Sequence, residues 1–565
     1  MMEPFERIDI QELPLRVPSV RRQVEDFLVS NGLRLEEVDL YRAVLDRDGR
    51  ILAGGGLHRD VIKCIAVSEA ARSAGLSVPL ISRLISEAAQ RGFTNVKVFT
   101  KPENRSVFES LGFRLLASAP KAILMENGRG LEQYCKYLRS HPANAVIVMN
   151  ANPFTLGHQY LLEQASAVLS GDIQSSIPLS IRRAESRKIV VIPVKEDRSR
   201  FPYLARMEMI REGGEGMVDV VEGSDYQISS MTFPTYFLKN LSDASETQMW
   251  LDIDLFGRHI APALGAKVRF VGSEPNDPLT ARYNAMMKYL LPEYGVQVVE
   301  VPRLCDAEGA VSAARARACL ANGEYSVAAA LTPPSTHPYL KTYLAVRALR
   351  SELDTPLKPG LVGPDGPGAH RDMDYDTMLK GIDAIRPFFP RMGQASSPEE
   401  LRQVGLVAER AMMTATGGIN THRGAIFAMA LALYPHDIAE TAAALDDGRT
   451  KQRDGIRGAM QMALDGYSDL FCHWLPYYQA RKWLPYGKQK TLLLIMSELD
   501  DTCIISRVGY DRAQEVKREA QALREDFSEE KLRAMCERYA AEGISPGGAA
   551  DMLALTIFFE SIEIH

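Results

Sequence analysis

The sequence predicts a multidomain chain, with two successive α/β parts followed by an all-helical part, within 565 residues. Three observations carry this. Up to about residue 135, short β-rich runs alternate with a long helical stretch. From 140 to 335, apolar runs of strand length recur with helical segments between them. After the turn-rich Leu331-Thr-Pro-Pro-Ser-Thr-His-Pro338, Ala, Met, Leu, Glu and Arg follow at helical spacing as far as His565. The expected domains are therefore 1–135, 140–335 and 340–565, consistent with domains of about 100–200 residues.

In the first part, Val61–Val67 and Val96–Thr100 are rich in β-branched residues and read as strands, with a helix over Val78–Arg91 between them. In the second, strands are expected at 145–150, 188–194, 267–271 and 296–301, a doubly wound α/β alternation. The first of these strands leads into the turn Ala151-Asn-Pro153-Phe and then Thr155-Leu-Gly157-His158. A helix opening at Gly157 points free backbone N–H groups and its dipole at an anion, with His158 in the first turn. Downstream, Val311-Ser312-Ala-Ala-Arg315-Ala-Arg317 sets a serine ahead of an Arg-bearing helix. The two segments read as walls of an ATP site that leaves the α-phosphate open to a nucleophile. Asn152, Thr155, Gly157, His158, Ser312 and Arg317 are its candidate residues, with capping alone the plain alternative for Asn152 and Thr155. Glu196 and Asp197 follow a strand and are candidates for Mg²⁺ or ribose. Arg206 reads as a solvated charge, Asn284 as site wall and Tyr283 as core.

Composition narrows the class of function. A net charge of -6 supplies no general attraction to nucleic acid or to an anionic membrane, so anionic substrates must meet local Arg, Lys or metal. The seven cysteines are scattered without a Cys-x-x-Cys pair, the pattern of reduced thiols. The amino terminus has no basic and apolar signal region, and no apolar run reaches the ~18 residues of a membrane span. A cytoplasmic enzyme is expected.

Several blocks of the middle part resemble citrate lyase ligase. They are Met149-Asn-Ala-Asn-Pro-Phe-Thr-Leu-Gly-His158, Glu196-Asp-x-Ser199-x-Phe-Pro-x-x-x-Arg206, Gly223-Ser-Asp-Tyr-x-Ile-Ser229, Thr232-Phe-Pro-x-Tyr-Phe-Leu-Lys239 and Val271-Gly-Ser-Glu-Pro-x-x-x-x-Thr280-x-x-Tyr-Asn284. The resemblance implies a Rossmann-like nucleotidyltransferase domain that acetylates the prosthetic-group thiol of the citrate lyase acyl carrier subunit. Acetate would attack the α-phosphorus of ATP, and a thiolate would then displace AMP. The first step needs positioning and charge neutralisation rather than a base. On this reading His158 and the N–H groups near Gly157 meet the α-phosphate, and Ser312 and Arg317 meet the β- and γ-phosphates. The family usually has a second serine where this chain has Ala314.

The first part resembles the acetyl-CoA-binding acetyltransferase (GNAT) domain. Arg72-Ser-Ala-Gly75-Leu-Ser77 is close to its pyrophosphate turn, and Asn104-Arg-Ser-x-Phe108-x-x-x-Gly112-Phe113 fits its later motif. Arg72, Gly75 and Asn104 are thereby candidates to hold the CoA-like arm that is acetylated. No general base is assigned there, and a domain that only braces its neighbour is the plainer reading.

In the helical part, Lys358-Pro-Gly-Leu-Val362, Gly368-Ala-His370-Arg-Asp372-Met-Asp374, Ala415-Thr-Gly-Gly418-Ile-Asn420-Thr-His422-Arg-Gly424-Ala and Ile544-Ser545-Pro-Gly-Gly548-Ala-Ala-Asp551 sit at helix starts and turns. Glycines there let backbone approach a phosphate ligand, and the acidic residues can share a divalent cation. Four blocks in this order resemble triphosphoribosyl-dephospho-CoA synthase, which transfers triphosphoribose from ATP to 3'-dephospho-CoA and expels adenine. Asp372, Asp374 and Asp551 are then candidates for Mg²⁺, with Asp374 and Glu409 for acid/base work. Lys358, His370, Asn420, His422 and Arg423 are candidates for phosphate and ribose. Two departures stand out: Gly363-Pro364 where the family continues with Asp, and Asp500-Asp-Thr-Cys…Arg507-Val-Gly509 where it has a glycine pair. Together the resemblances imply a bifunctional enzyme of citrate lyase maturation. The alternatives are an adenylyltransferase of cofactor biosynthesis, or a ligase with a non-catalytic carboxyl-terminal scaffold.

Overall fold

Leu40–Leu45 (β2), apolar but for Arg42, and Ile51–His58 (β3), buried along most of its length, meet at a tight turn, where Asp46 Oδ1 accepts the backbone N–H groups of Asp48 and Arg50. They begin a seven-stranded sheet in a computed structural model that describes residues 8–173, 188–195, 199–227, 241–274, 277–446 and 458–562. Its other strands are Gln11–Glu12 (β1), Val61–Val67 (β4), Val96–Thr100 (β5), Arg114–Ser118 (β6) and Ile123–Asn127 (β7), in the order β1-β2-β3-β4-β5-β7-β6. Only β4 and β5 pair in parallel, joined by the helix Ser77–Gln90. Both strands fall where the sequence puts them, and the helix starts one residue earlier.

The second sheet is wholly parallel. It contains Ala145–Met149 (β8), Ile189–Pro193 (β9), Asp219–Val220 (β10), Val268–Gly272 (β11) and Gln297–Val301 (β12), in the order β10-β9-β8-β11-β12. β8 and β9 are almost entirely buried, as strands covered on both faces must be. The strand order reverses between β8 and β11, so the chain leaves the two neighbouring strand ends in opposite directions and opens a crevice there.

The described chain divides into two compact units. One comprises Met1–Asn150, His158–Arg198 and Gly214–Cys305, and holds both sheets. The boundary expected near 135–140 crosses a continuous core within it. Tyr41, Ala43, Leu124 and Leu138 belong to the same buried cluster as Val146, Ile192, Leu251 and Phe256. Polar ties reinforce it: Tyr226 donates its hydroxyl to the buried Glu126 carboxylate, and Ser118 N–H donates to Asp254 at 2.8 Å.

The other unit comprises Ala151–Gly157, Ser199–Gly213 and Asp306–His565. From His337 onward its described regular elements are helices. The helix Gly547–Ser561 is apolar around most of its circumference, and it and His337–Leu353 each bury ten residues, as interior helices of a bundle should. Among the described residues, no helix is long and apolar enough to cross a membrane.

Candidate active sites

The turn after β8 is built by close packing. Ala151 has φ 47° and Asn152–Pro153 is a cis peptide. Within the second unit, the Asn152 side-chain oxygen accepts from Phe201 N–H at 3.1 Å, and the Arg317 guanidinium donates to the Asn152 carbonyl. Thr336 Oγ1 donates to the Phe154 carbonyl at 3.1 Å, and Leu156 N–H to that of Leu331 at 3.0 Å. Thr155 is buried. A Cβ on Gly157 would lie 2.6 Å from the Val311 carbonyl oxygen, so only glycine lets the two segments pass. The helix runs Leu156–Ser170, opening one residue before the expected position.

Ser312 caps the helix Ala313–Asn322, accepting from Arg315 N–H at 3.2 Å, which leaves the other amides of that first turn to an anion. Arg317 sits in this helix, and its own carbonyl accepts from Arg200 Nη1 at 3.0 Å.

Within the first unit, His158 is half-buried. Its pKa is held down to about 4, first by desolvation and then by the positive charge of Arg303. The imidazole is therefore neutral at pH 7, a hydrogen-bond donor rather than a cation. Arg303 is anchored beyond β12 by an ion pair with Glu274 and by Nε donating to the Ser273 carbonyl at 2.9 Å.

One secondary expectation changes: Arg206 is fully buried rather than solvated, donating to the Phe201 carbonyl at 3.2 Å and lying over the Tyr203 ring. Asn284 donates to the Gly272 carbonyl and to Glu300, while Tyr283 packs against the core as expected and also lines a cavity. Glu196 and Asp197 lie outside the described residues.

In the first sheet, Gly75 has φ 67° and precedes the start of the helix at Ser77. Both it and Arg72 are exposed. Asn104 donates to Thr100 Oγ1 at 2.9 Å. The turn is thus open to a ligand from solvent.

In the helical part, all four blocks line one cavity of about 230 Å³, whose walls include His370, Asn420, His422, Arg423, Arg507 and Asp551. His370 bridges two of them: its Nε2 lies 2.8 Å from Ser545 Oγ, and its Nδ1 accepts from Arg507 at 3.3 Å. Burial and Arg507 together lower its pKa. His422 is buried and held down to about 4 by desolvation and by Lys358.

Asp551 is the chemically distinctive group. It is partly buried in the cavity wall, has Asp501 and Glu352 as charged neighbours, and desolvation first and those charges next drive its pKa well above the ordinary carboxylate value. A Cβ on Gly424 would sit 2.0 Å from Asp551 Oδ2, and one on Gly548 would sit 3.1 Å from the Asp501 carboxylate. The glycines expected to admit phosphate thus admit the protein's own carboxylates. Asp501 accepts from the N–H groups of Cys503 and Ala549 at 2.8 and 2.9 Å.

The other acidic and basic candidates are committed elsewhere. Asp374 is exposed and caps the helix Tyr375–Ile385, accepting from Thr377 N–H at 2.8 Å, and Asp372 is exposed. Lys358, expected to meet phosphate, is buried in an ion pair with Glu352. Glu409 is paired with Arg423, and Asp500 with Lys517 at 2.8 Å. Asn420 Oδ1 accepts from Arg423 N–H at 3.1 Å. Among the described residues no three His, Cys, Asp or Glu side chains come together as a metal site, so Asp372, Asp374 and Asp551 do not form the expected cluster.

Two arginines escaped the sequence reading. Arg507 belongs to the altered block yet lines the cavity. Arg269 is buried in the middle of a parallel strand, and its only signal was one charge in the apolar run Val268–Val271.

Residues 144–173 and 179–340 match the model of the citrate lyase ligase C-terminal domain. Residues 341–447 and 436–565 match that of ATP:dephospho-CoA triphosphoribosyl transferase. The chain is 36% identical over 335 residues to the citrate (pro-3S)-lyase ligase of Escherichia coli, covering 57% of this chain and 90% of that protein. Against the Haemophilus influenzae ligase the identity is 35% over 351 residues, covering 60% and 98%. A probable 2-(5''-triphosphoribosyl)-3'-dephosphocoenzyme-A synthase of Stutzerimonas stutzeri is 34% identical over 261 residues, covering 39% of this chain and 90% of that protein.

Proposed function

Since the chain belongs to the citrate lyase ligase family and, through residues 341–565, to the ATP:dephospho-CoA triphosphoribosyl transferase family, we propose how each part of this bifunctional citrate lyase maturation enzyme carries its reaction.

In the ligase part, a Rossmann-like nucleotidyltransferase domain, the turn Asn152–Gly157 and the amides after Ser312 take the phosphates of ATP. His158, neutral and desolvated, donates a hydrogen bond to an α-phosphate oxygen as charge builds on it. Arg317 acts first on the protein, holding the turn through the Asn152 carbonyl. Acetate, already ionised, attacks the α-phosphorus and diphosphate leaves. The carrier thiolate then attacks the acetyl carbonyl and AMP leaves. The exposed turn at Arg72 and Gly75, with Asn104, receives the CoA-like arm of the acyl carrier subunit.

In the helical part, the bond broken is the N-glycosidic bond of ATP, and positive charge develops on the ribose. Asp551 has the raised pKa of a general acid and protonates adenine as it departs. His370, Arg423 and Arg507 take the triphosphate, and Asn420 the ribose, while the 3'-dephospho-CoA hydroxyl attacks the ribose carbon that adenine leaves and its proton passes to the Asp551 carboxylate, restoring the acid. Mg²⁺ belongs to this scheme only as part of the incoming nucleotide.

The observation that carries the reading is the convergence of four blocks, separated by up to about two hundred residues, on one cavity whose lining includes a carboxyl with a raised pKa. The test uses the full chain in two assays. ATP, acetate and deacetylated citrate lyase should yield AMP and diphosphate. ATP and 3'-dephospho-CoA should yield adenine without AMP or ADP. Adenine formation absent from folded protein refutes the second half and leaves the first standing.

A further inference from the structure

Beneath the helices Leu241–Leu255 and Pro278–Leu290, the parallel sheet encloses a cavity of about 320 Å³. Its walls are mostly apolar, including Val148, Ile192, Leu255 and Phe256, and it reaches the ends of β8 and β9 at Asn150 and Val194. Arg269 projects into it from β11 and is only 4% exposed. The guanidinium lies over the Phe256 ring, 4.3 Å from its centroid, and Nη2 is 3.5 Å from Tyr283 Oη. Tyr283 in turn donates to Asp252. The other two nitrogens, Nε and Nη1, which point to different sides of the guanidinium, are buried with no hydrogen-bond partner. Gln227 Oε1, in the same cavity, is likewise unpartnered.

Two unmet donors on one desolvated guanidinium are a costly arrangement, because each buried unsatisfied group loses its hydration without replacement. The Nη1–Nη2 end of a guanidinium presents two parallel N–H groups that match the two oxygens of a carboxylate, Nη2 keeping its other N–H for Tyr283, and the stacked ring fixes the plane in which that match is made. The apolar walls beyond suit a short alkyl tail and would not suit a second charge.

We propose that this cavity is the carboxylate-substrate pocket of the ligase reaction, with Arg269 holding a short aliphatic monocarboxylate by its Nη1–Nη2 end and Phe256 and Tyr283 orienting the guanidinium. The inference rests on the ligase reading above and adds to it the group that selects the acid. Space beyond a two-carbon acid implies that propionate is accepted, and that a dicarboxylate, whose second charge would face Val148 and Ile192, is rejected.

The test measures acetate in two independent ways on the full-length protein: direct binding, by line broadening of ¹³C-labelled acetate, and the acetate KM in ATP–diphosphate exchange. Arg269→Gln should raise both the acetate dissociation constant and the acetate KM about a hundredfold, the scale of removing one partner of a buried charged pair, with ATP affinity unchanged. Arg269→Lys retains the cation without the fork. It should fall between Arg269→Gln and wild type, and it decides the matter if the Gln variant does not fold. Acetate binding and KM unchanged in the Lys variant, or lost in step with ATP affinity, overturn the proposal. If wild type binds acetate through Arg269 but shows no acetate-dependent exchange, the pocket stands and the ligase reading is what fails.

Discussion

Replacing Gly424 with alanine ought to stabilise the chain on local grounds, because Gly424 lies in the first turn of the helix Arg423–Leu433 and alanine is better there by about 1 kcal/mol. The structure reverses that sign. The added Cβ falls 2.0 Å from Asp551 Oδ2 and 3.1 Å from its Cγ, so the carboxyl must retreat by more than an ångström to restore ordinary contact. It has little room: Asp501 and Glu352 are its charged neighbours, and Ala425 N–H holds it in place. Overpacking costs about 1–3 kcal/mol, and forfeiting a hydrogen bond to a buried acidic group costs about another 1–3. Against the helical gain, the net is a destabilisation of about 1–5 kcal/mol. That corresponds to a fall of roughly 2–20 °C in the thermal transition of the helical part. Because the displaced group is the proposed acid, adenine release should fall about a hundredfold or more, the cost of a misplacement near 1 Å. Acetate-dependent ATP–diphosphate exchange on the same preparation should not change. A Gly424→Ala protein that melts like wild type and releases adenine at the wild-type rate would show that Asp551 neither occupies this position nor performs this role.

Other outcomes follow from the same geometry. His158→Ala should lower acetate-dependent exchange by about two to three powers of ten. His158→Gln, an uncharged donor, should recover part of it, whereas a role requiring imidazolium predicts no recovery. His422 binds fewer protons folded than unfolded between pH 6.5 and about 4, so its contribution is complete above pH 6.5 and is lost as pH falls towards 4. Relative to His422→Gln, wild type should lose about 2 kcal/mol in urea unfolding between pH 7 and 5, and parallel pH profiles would refute the burial of a neutral ring. Asp374→Asn should leave adenine release within about twofold, since Asn caps a helix as well as Asp. Loss of release there would restore Asp374 to the chemistry.

Much of the site was legible because the relevant signals are local. The apolar run of β8, the turn after it and the helix carrying His158 occupy consecutive residues, and each is dictated by composition and spacing within a few positions. The four helical blocks were legible as blocks, and their order was enough to expect one site. What each acidic residue does was not. Asp374 and Asp551 look equally available in the sequence, yet one caps the helix that begins beside it and the other is desolvated against residues from helices far away in sequence. Asp374-Tyr-Asp-Thr377 did contain the local cue, a capping aspartate three residues ahead of a threonine. The environment of Asp551 had none, because desolvation is decided by packing. Arg269 shows the opposite failure: a single charge in a buried strand was visible and carried more information than its neighbours.

The continuity of the core from the seven-stranded sheet into the parallel sheet has a practical consequence for anyone dividing this gene. Domain-by-domain expression would cut near residue 135, where the sequence changes character. That cut would strip from the cluster that holds Val146, Ile192 and Leu251 its members Tyr41, Ala43 and Leu124, and leave Asp254 without the amide it accepts from. A shortened ligase made this way would be sticky and poorly folded, and its inactivity would say nothing about whether the amino-terminal sheet handles the acyl arm. Point changes on the exposed Gly75 turn, which touch no shared side chain, would separate that question from folding.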